Sequence, residues 1–297
     1  MSELSKRIFV ALIGIPFAIS VMYVGGVYFN ISILFICFLA IGEFIDFLKI
    51  YSNNSTKIPI YIGTLSLPLL FSFTQNPKIW GIGIILIFFA SVIIGFTFRI
   101  FRVVKGSIFD IGSFFTSIIY IGFTFSSLIL IRNFNFVLLE GRDFFNYDSF
   151  LYQLRFTEDF TWFLVTLFAF ISVWTCDSAA YFFGRAFGKT KLLPAVSPKK
   201  SREGAYAGLV AAILSFTLLN YFFIPEIPLF LSLLCGITVG VFGQIGDLAE
   251  SMLKRDAEVK DSSALLPGHG GILDRFDSLM FVFPALGFLF LLSAFIG

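Results

Sequence analysis

Charge is scarce in this 297-residue chain. Asp, Glu, Lys and Arg together make up 13% of it, against 58% hydrophobic types, where a soluble domain carries about a quarter charged residues. The mean hydropathy is +0.92. These values exclude an ordinary soluble globular protein and place the chain in a bilayer. Histidine occurs once, at His269, and cysteine three times, at Cys37, Cys176 and Cys235, each within an apolar run. That usage excludes a His/Cys zinc centre and a disulfide framework. Any bound metal is therefore expected to be a hard cation held by oxygen. A small-residue cleavage site is also lacking after Lys6-Arg7, so the first apolar stretch reads as a spanning helix rather than a signal peptide. No internal repeat or low-complexity tract stands out. The 43 Phe residues are read as lipid-facing and helix-packing mass with no chemistry of their own.

What is present in abundance is long apolar runs. A spanning helix needs about 20 mostly apolar residues. Nine stretches qualify, at roughly 8–25, 28–47, 58–74, 79–98, 108–131, 160–183, 205–224, 228–249 and 275–296. With the N-terminus inside, 17 of the 21 Lys and Arg residues fall in inside segments, as the positive-inside rule demands. The expected fold is an all-α integral membrane protein of about nine transmembrane helices, with the N-terminus cytoplasmic and the C-terminus outside. Residues 1–131 form about five N-terminal spans. Residues 132–159 form an extracytoplasmic loop that reads as ordinary and solvated. Residues 160–297 form a catalytic domain of about four spans, with cytoplasmic loops 184–204 and 250–274.

Polar chemistry gathers in 247–277. Asp247, Glu250, Ser251 and Lys254 stand at i, i+3, i+4 and i+7, on one face of a helix. Asp274 and Asp277 repeat the i, i+3 spacing at the start of the last span. Gly268, Gly270 and Gly271 leave bare backbone N–H groups just ahead of that helix, an arrangement that attracts phosphate. Carboxylates supply oxygen ligands for Mg²⁺, which bridges phosphates in turn. Lys254, Arg255, Lys260 and Arg275 can neutralise the remaining phosphate charge. Taken singly, the basic loop is ordinary positive-inside signal, Asp274 is an N-cap and His269 is a loop hydrogen-bonder. Their convergence within 31 residues favours a site.

A second polar segment spans 174–204. Asp177 follows a long apolar run and shares a helix face with Tyr181. An intramembrane acid is costly, and a structural ion pair with Arg185 and a functional role weigh equally for it. Ser197 to Gly204, with Lys199, Lys200 and Ser201, has the hydroxyls, lysines and closing glycine of a phosphate-gripping loop. Attraction to anionic headgroups explains it as well. Glu43 and Asp46, at the inner end of the second span, read as interfacial and structural.

The segment 251–277 resembles the C-terminal motif of the phosphatidate cytidylyltransferases, also called CDP-diacylglycerol synthases. The residues that match are Ser251, Lys254-Arg255, Lys260-Asp261, Pro267, His269-Gly270-Gly271, Asp274-Arg275 and Asp277. Asp177–Gly184 and Ser197–Gly204 resemble two further blocks of that family, with Ser201-Arg202 where a threonine and a bulky apolar residue are usual. The likeness is good over roughly 160–297. It implies transfer of a cytidylyl group from CTP to phosphatidate, with Mg²⁺ and room for a second cation. It also implies Asp247, Asp274 and Asp277 as metal ligands, and Lys254, Arg255, Lys199 and Lys200 on phosphates. Asp177 and Ser251 would orient the site, with Asp177, Ser251, Lys254 and Asp274 counted as catalytic. Lys260, Gly270, Gly271, Arg275 and the His269 loop would bind substrate, with that loop on the nucleotide.

The implied partners are CTP, phosphatidate and the lipid bilayer. Nucleic acid is not among them, and homo-oligomerisation through Phe-rich faces stays open. The implied location is the inner (plasma) membrane, with the active site on the cytoplasmic side. The competing readings are another CTP-dependent lipid enzyme of the polyprenol or phytol kinase type, and a transporter of an anionic solute. A transporter would want paired, interrupted spans in matching halves and charge near the midplane, and neither is visible. The Asp-Gly…Ala-Arg pattern of a CDP-alcohol phosphotransferase is missing.

Overall fold

Apolar runs of this length leave the backbone no partner in lipid except itself, so they form helices. A computed structural model describes residues 3–47, 54–74, 76–100, 107–134, 158–266, 268 and 270–296. His269, Pro267 and most of the outer loop lie outside the described residues.

The chain forms two compact units. The first comprises Met1–Leu130 and Asp256–Arg275, so the glycine-rich segment groups with the N-terminal helices. It holds α1 (Glu3–Val24), α2 (Gly26–Phe47), α3 (Asn54–Phe73), α4 (Pro77–Ile100), α5 (Ser107–Thr116) and α6 (Phe123–Arg132, whose last two residues fall in the second unit). A π-helical turn, Ser117–Gly122, joins α5 to α6. One face of α2 forms the centre of this unit, with Cys37, Ala40, Ile41 and Phe44 fully buried. The hydroxyls of Thr64 and Ser117 satisfy each other at 2.8 Å inside it. By contrast, Ile82, Ile85, Phe88 and Phe89 of α4 are exposed, the surface of a helix that faces lipid.

The second unit comprises Ile131–Arg255 and Phe276–Gly297. It holds α7 (Glu158–Phe187), β1 (Lys191–Leu193), β2 (Ser197–Ser201), α8 (Arg202–Phe223), α9 (Leu229–Asp256) and α11 (Leu279–Ile296). The short α10 (Leu273–Phe276) leads into it. Helices α7 and α8 lie close because small residues line their seam, as in many membrane bundles. A Cβ on Gly204 would stand 2.6 Å from the Ala180 carbonyl, and one on Gly208 would stand 2.9 Å from that of Cys176.

Apolar helices make up most of the described residues. Six of them are long and apolar enough to cross a membrane, namely Gly26–Asp46, Ile79–Thr97, Ile108–Arg132, Phe160–Phe187, Arg202–Phe223 and Leu229–Asp256. Val10–Val24, Lys57–Phe73 and Leu279–Ser293 are shorter apolar helices. Two details differ from expectation. The loop 184–204 carries an antiparallel β-ribbon, with Lys191 opposite Ser201 and Leu193 opposite Ser197. Arg132, counted with the solvated outer loop, is fully buried at the end of α6.

Candidate active site

In the second unit, α7, the ribbon, α8 and α9 enclose a cavity of about 540 Å³. Asp177 and Tyr181 face it together, as their i, i+4 spacing on α7 requires. The ribbon delivers Lys199 and Lys200, and α9 contributes Gln244 and Asp247. Lys200 Nζ stands 2.5 Å from Asp247 Oδ2. Ser251, one turn on, donates to Asp247 Oδ1 at 3.4 Å. A further turn along the same face, Lys254 pairs with the buried Glu250. The four-residue face of α9 is therefore real, and its two acids and its one lysine are already paired. Arg255 reaches the Val196 carbonyl in the ribbon turn at 3.5 Å. Arg185 donates to Tyr181 Oη at 3.3 Å, and among the described residues no ion pair joins it to Asp177.

The Ser197–Gly204 segment is tied into the fold by hydrogen bonds around the start of α8. Ser201 N-caps α8, its side chain accepting from Gly204 N–H at 3.2 Å. Glu203 accepts from the backbone N–H groups of Lys189 and Thr190 at 3.1–3.2 Å, and Arg202 N–H donates to the Thr190 carbonyl. The Ser201 hydroxyl, expected on phosphate, is used as a cap, while Lys199 and Lys200 remain directed to the cavity. Gln244, which sequence reading passes over, donates to the Ala205 carbonyl at 3.0 Å and fixes α9 to α8.

Asp277 sits in the turn ahead of α11. Burial and the nearby Asp247 carboxylate push its acid up to about 6. Asp177 is within electrostatic reach of both Asp247 and Asp277. Among the described residues no three Asp, Glu, His or Cys groups converge as ligands for one cation; within the second unit, Asp247 and Asp277 are in electrostatic reach of each other. Two mutually repelling carboxylates still suit Mg²⁺, which commonly takes one or two carboxylates and completes its shell with water and substrate phosphates.

Asp274 has other work, within the first unit. Its Oδ2 accepts from Ser262 N–H at 2.8 Å, Ser262 Oγ at 2.9 Å and Gly271 N–H at 2.8 Å. The N–H groups of Ile272 and Leu273 donate to the two oxygens of Glu43 at 2.8 and 2.9 Å. Of the backbone donors expected to cradle a phosphate, that of Gly271 is taken by the protein's own Asp274. Gly270 takes φ +79°, a left-handed conformation that favours glycine. A side chain on Gly271 would run into Ser262 and Glu43. Lys260 and Arg275 are exposed on this segment. Glu43, Ser262 and Ser263 were not legible as site residues. The one signal for Glu43 is its place, with Asp46, near the end of an apolar span.

These features define a helical membrane protein with a charged cavity at the helix ends of its second unit. The profile of the Cytidylyltransferase family matches residues 5–293, and the chain belongs to that family. It is 34% identical to the phosphatidate cytidylyltransferase of Bacillus subtilis (strain 168) over 294 residues, 97% of this chain and 98% of the relative. It is 51% identical to the phosphatidate cytidylyltransferase of Staphylococcus epidermidis over 123 residues, 41% of this chain. There the match spans about half the length of the relative, 47%. The corresponding enzyme of Staphylococcus aureus is 46% identical over 127 residues.

Proposed function

We propose that this chain transfers the cytidylyl group of CTP to phosphatidate, yielding CDP-diacylglycerol and pyrophosphate. The observation that carries the reading is the cavity in which Lys200 and Asp247 pair beside Lys199 and Asp177, in a chain that matches the Cytidylyltransferase family almost end to end. Phosphatidate brings its own nucleophile. A phosphate oxygen of the lipid attacks the α-phosphorus of CTP, the bond from that phosphorus to the bridging oxygen breaks, and pyrophosphate leaves with the electron pair. No protein base is required, so positioning and charge neutralisation dominate.

Lys199 and Lys200 take phosphate oxygens, and Lys254 and Arg255 add positive charge. A phosphate entering the cavity competes with Asp247 for Lys200 and releases that carboxylate. Asp247 and Asp277 would then hold Mg²⁺, which when bound neutralises charge on the departing pyrophosphate. A second cation belongs to the same proposal. Ser251 orients Asp247, Asp177 shapes the cavity wall, and Lys260, Arg275 and the His269 segment serve the nucleotide. The chain crosses the inner membrane about nine times with this site on the cytoplasmic face, where CTP is available; the lysine and arginine distribution supports that orientation. Family membership favours nucleotidyl transfer over the lipid-kinase and transporter readings.

The test is pyrophosphate release by the purified protein in detergent. Release that requires CTP, phosphatidate and Mg²⁺ together, and collapses in Asp247→Asn, supports the reading. A well-folded protein that releases none overturns it.

A further inference from the structure

A membrane-embedded acid is expensive unless its oxygens are satisfied. Glu43 is buried to 6% exposure in the second half of α2 and holds four donors. Ser263 Oγ and Ile272 N–H donate to Oε1 at 2.7 and 2.8 Å. Leu273 N–H donates to Oε2 at 2.9 Å, and Ser262 Oγ lies 3.1 Å from the same oxygen. Ser262 Oγ also lies 2.9 Å from Asp274 Oδ2, so one hydroxyl stands between the two carboxylates with one proton to offer at a time. Asp46, three residues along the same helix, is exposed and pairs only loosely with Lys57 at 3.7 Å.

We infer that Glu43 is a positioning residue for the reaction proposed above, holding the 262–274 segment in register through Ser262, Ser263 and the two N–H groups that open α10. The segment between these anchors carries the glycines and the histidine assigned to the nucleotide, and Lys260 and Arg275 flank it. A carboxylate is the only side chain of this length that offers acceptors on both oxygens. Glutamine keeps the shape but turns one oxygen into a donor that faces donors. An exchange at Glu43 therefore loosens the nucleotide side of the reaction and leaves the lipid side alone.

The test uses full-length protein in detergent with CTP, phosphatidate and Mg²⁺. Glu43→Gln is expected to raise KM for CTP about tenfold while KM for phosphatidate stays within twofold. A fold defect alone would lower the active fraction and move neither constant. Amide hydrogen exchange of the peptide covering 262–276 should speed up in Glu43→Gln and stay unchanged in Asp46→Asn. Added formate should restore CTP affinity in Glu43→Ala where chloride does not. If Glu43→Gln does not fold, Ser263→Ala removes a single donor and should produce the same shift in KM for CTP at smaller size.

Unchanged KM for CTP in folded Glu43→Gln, or unchanged exchange of that peptide, overturns the inference. Inactivity of the wild-type protein is a different outcome, which overturns the cytidylyltransferase reading, and the exchange experiment then still decides whether Glu43 anchors the segment.

Discussion

Lys200 Nζ and Asp247 Oδ2 are 2.5 Å apart, one carried by a β-ribbon and the other by α9. The pair is about a quarter exposed, so it is neither a surface ion pair of little value nor a sealed one. On the mechanism proposed above, the pair keeps each charge compensated until a phosphate takes the lysine and a cation takes the acid.

That exchange makes both residues necessary. Lys200→Met and Asp247→Asn should each lower kcat/KM by about 10² or more, the scale of losing one preorganised charge at a phosphoryl centre. The double variant should lose little more than either single one, because groups acting as a unit are not additive. Initial rates of pyrophosphate release measure this, and fully additive losses would show that the two act independently.

The cap at the start of α8 separates stability from chemistry. Ser201→Ala should cost about 1 kcal/mol, as N-cap removal generally does, and lower Tm by a few degrees. Ser201→Asp keeps an acceptor for Gly204 N–H and should retain most of that stability. A thermal melt of both variants checks the order. Equal melting with a large loss of activity would return Ser201 to the phosphate-binding set.

Asp277 supplies the pH dependence. Its acid is held up at about 6, above the unfolded carboxylate near about 3.9. Between those values the native state keeps a proton that the unfolded state has lost. Without divalent cation, stability should therefore fall as pH rises from about 4 to about 6 and then level off. Mg²⁺ requires the ionised carboxylate, so its affinity should weaken as pH falls through about 6. Melting curves and Mg²⁺ titrations across that range provide the measurement, and Asp277→Asn should flatten both.

Gly271 has no room for a methyl group, since a Cβ there runs into Ser262 and Glu43. Gly271→Ala should displace the segment and cut kcat/KM for CTP by tenfold or more. Steady-state kinetics with a fold check by gel filtration decides it. Wild-type kinetics in that variant would mean the segment shifts at no cost.

The helical frame could be read from hydropathy alone, because lipid forces backbone hydrogen bonds inward and leaves long apolar runs a single solution. The face formed by Asp247, Glu250, Ser251 and Lys254 could be read from the helical period. The ribbon could not, since Lys191–Leu193 and Ser197–Ser201 are three and five residues long and show no alternation of apolar and polar positions. The roles of Asp274 and Glu43 were hidden for a different reason. Local spacing shows which residues share a face, but it does not show that Ile272 and Leu273 donate to a carboxylate 229 and 230 residues earlier in the chain.

That separation bears on how the protein is made. Glu43 leaves the ribosome some 230 residues before the last of its donors. At about 5–20 residues per second, the acid waits on the order of 10–50 s in an unfinished bundle. Over that interval its charge needs water, a proton or a temporary partner, and the contact can close only once residues 262–273 have been made.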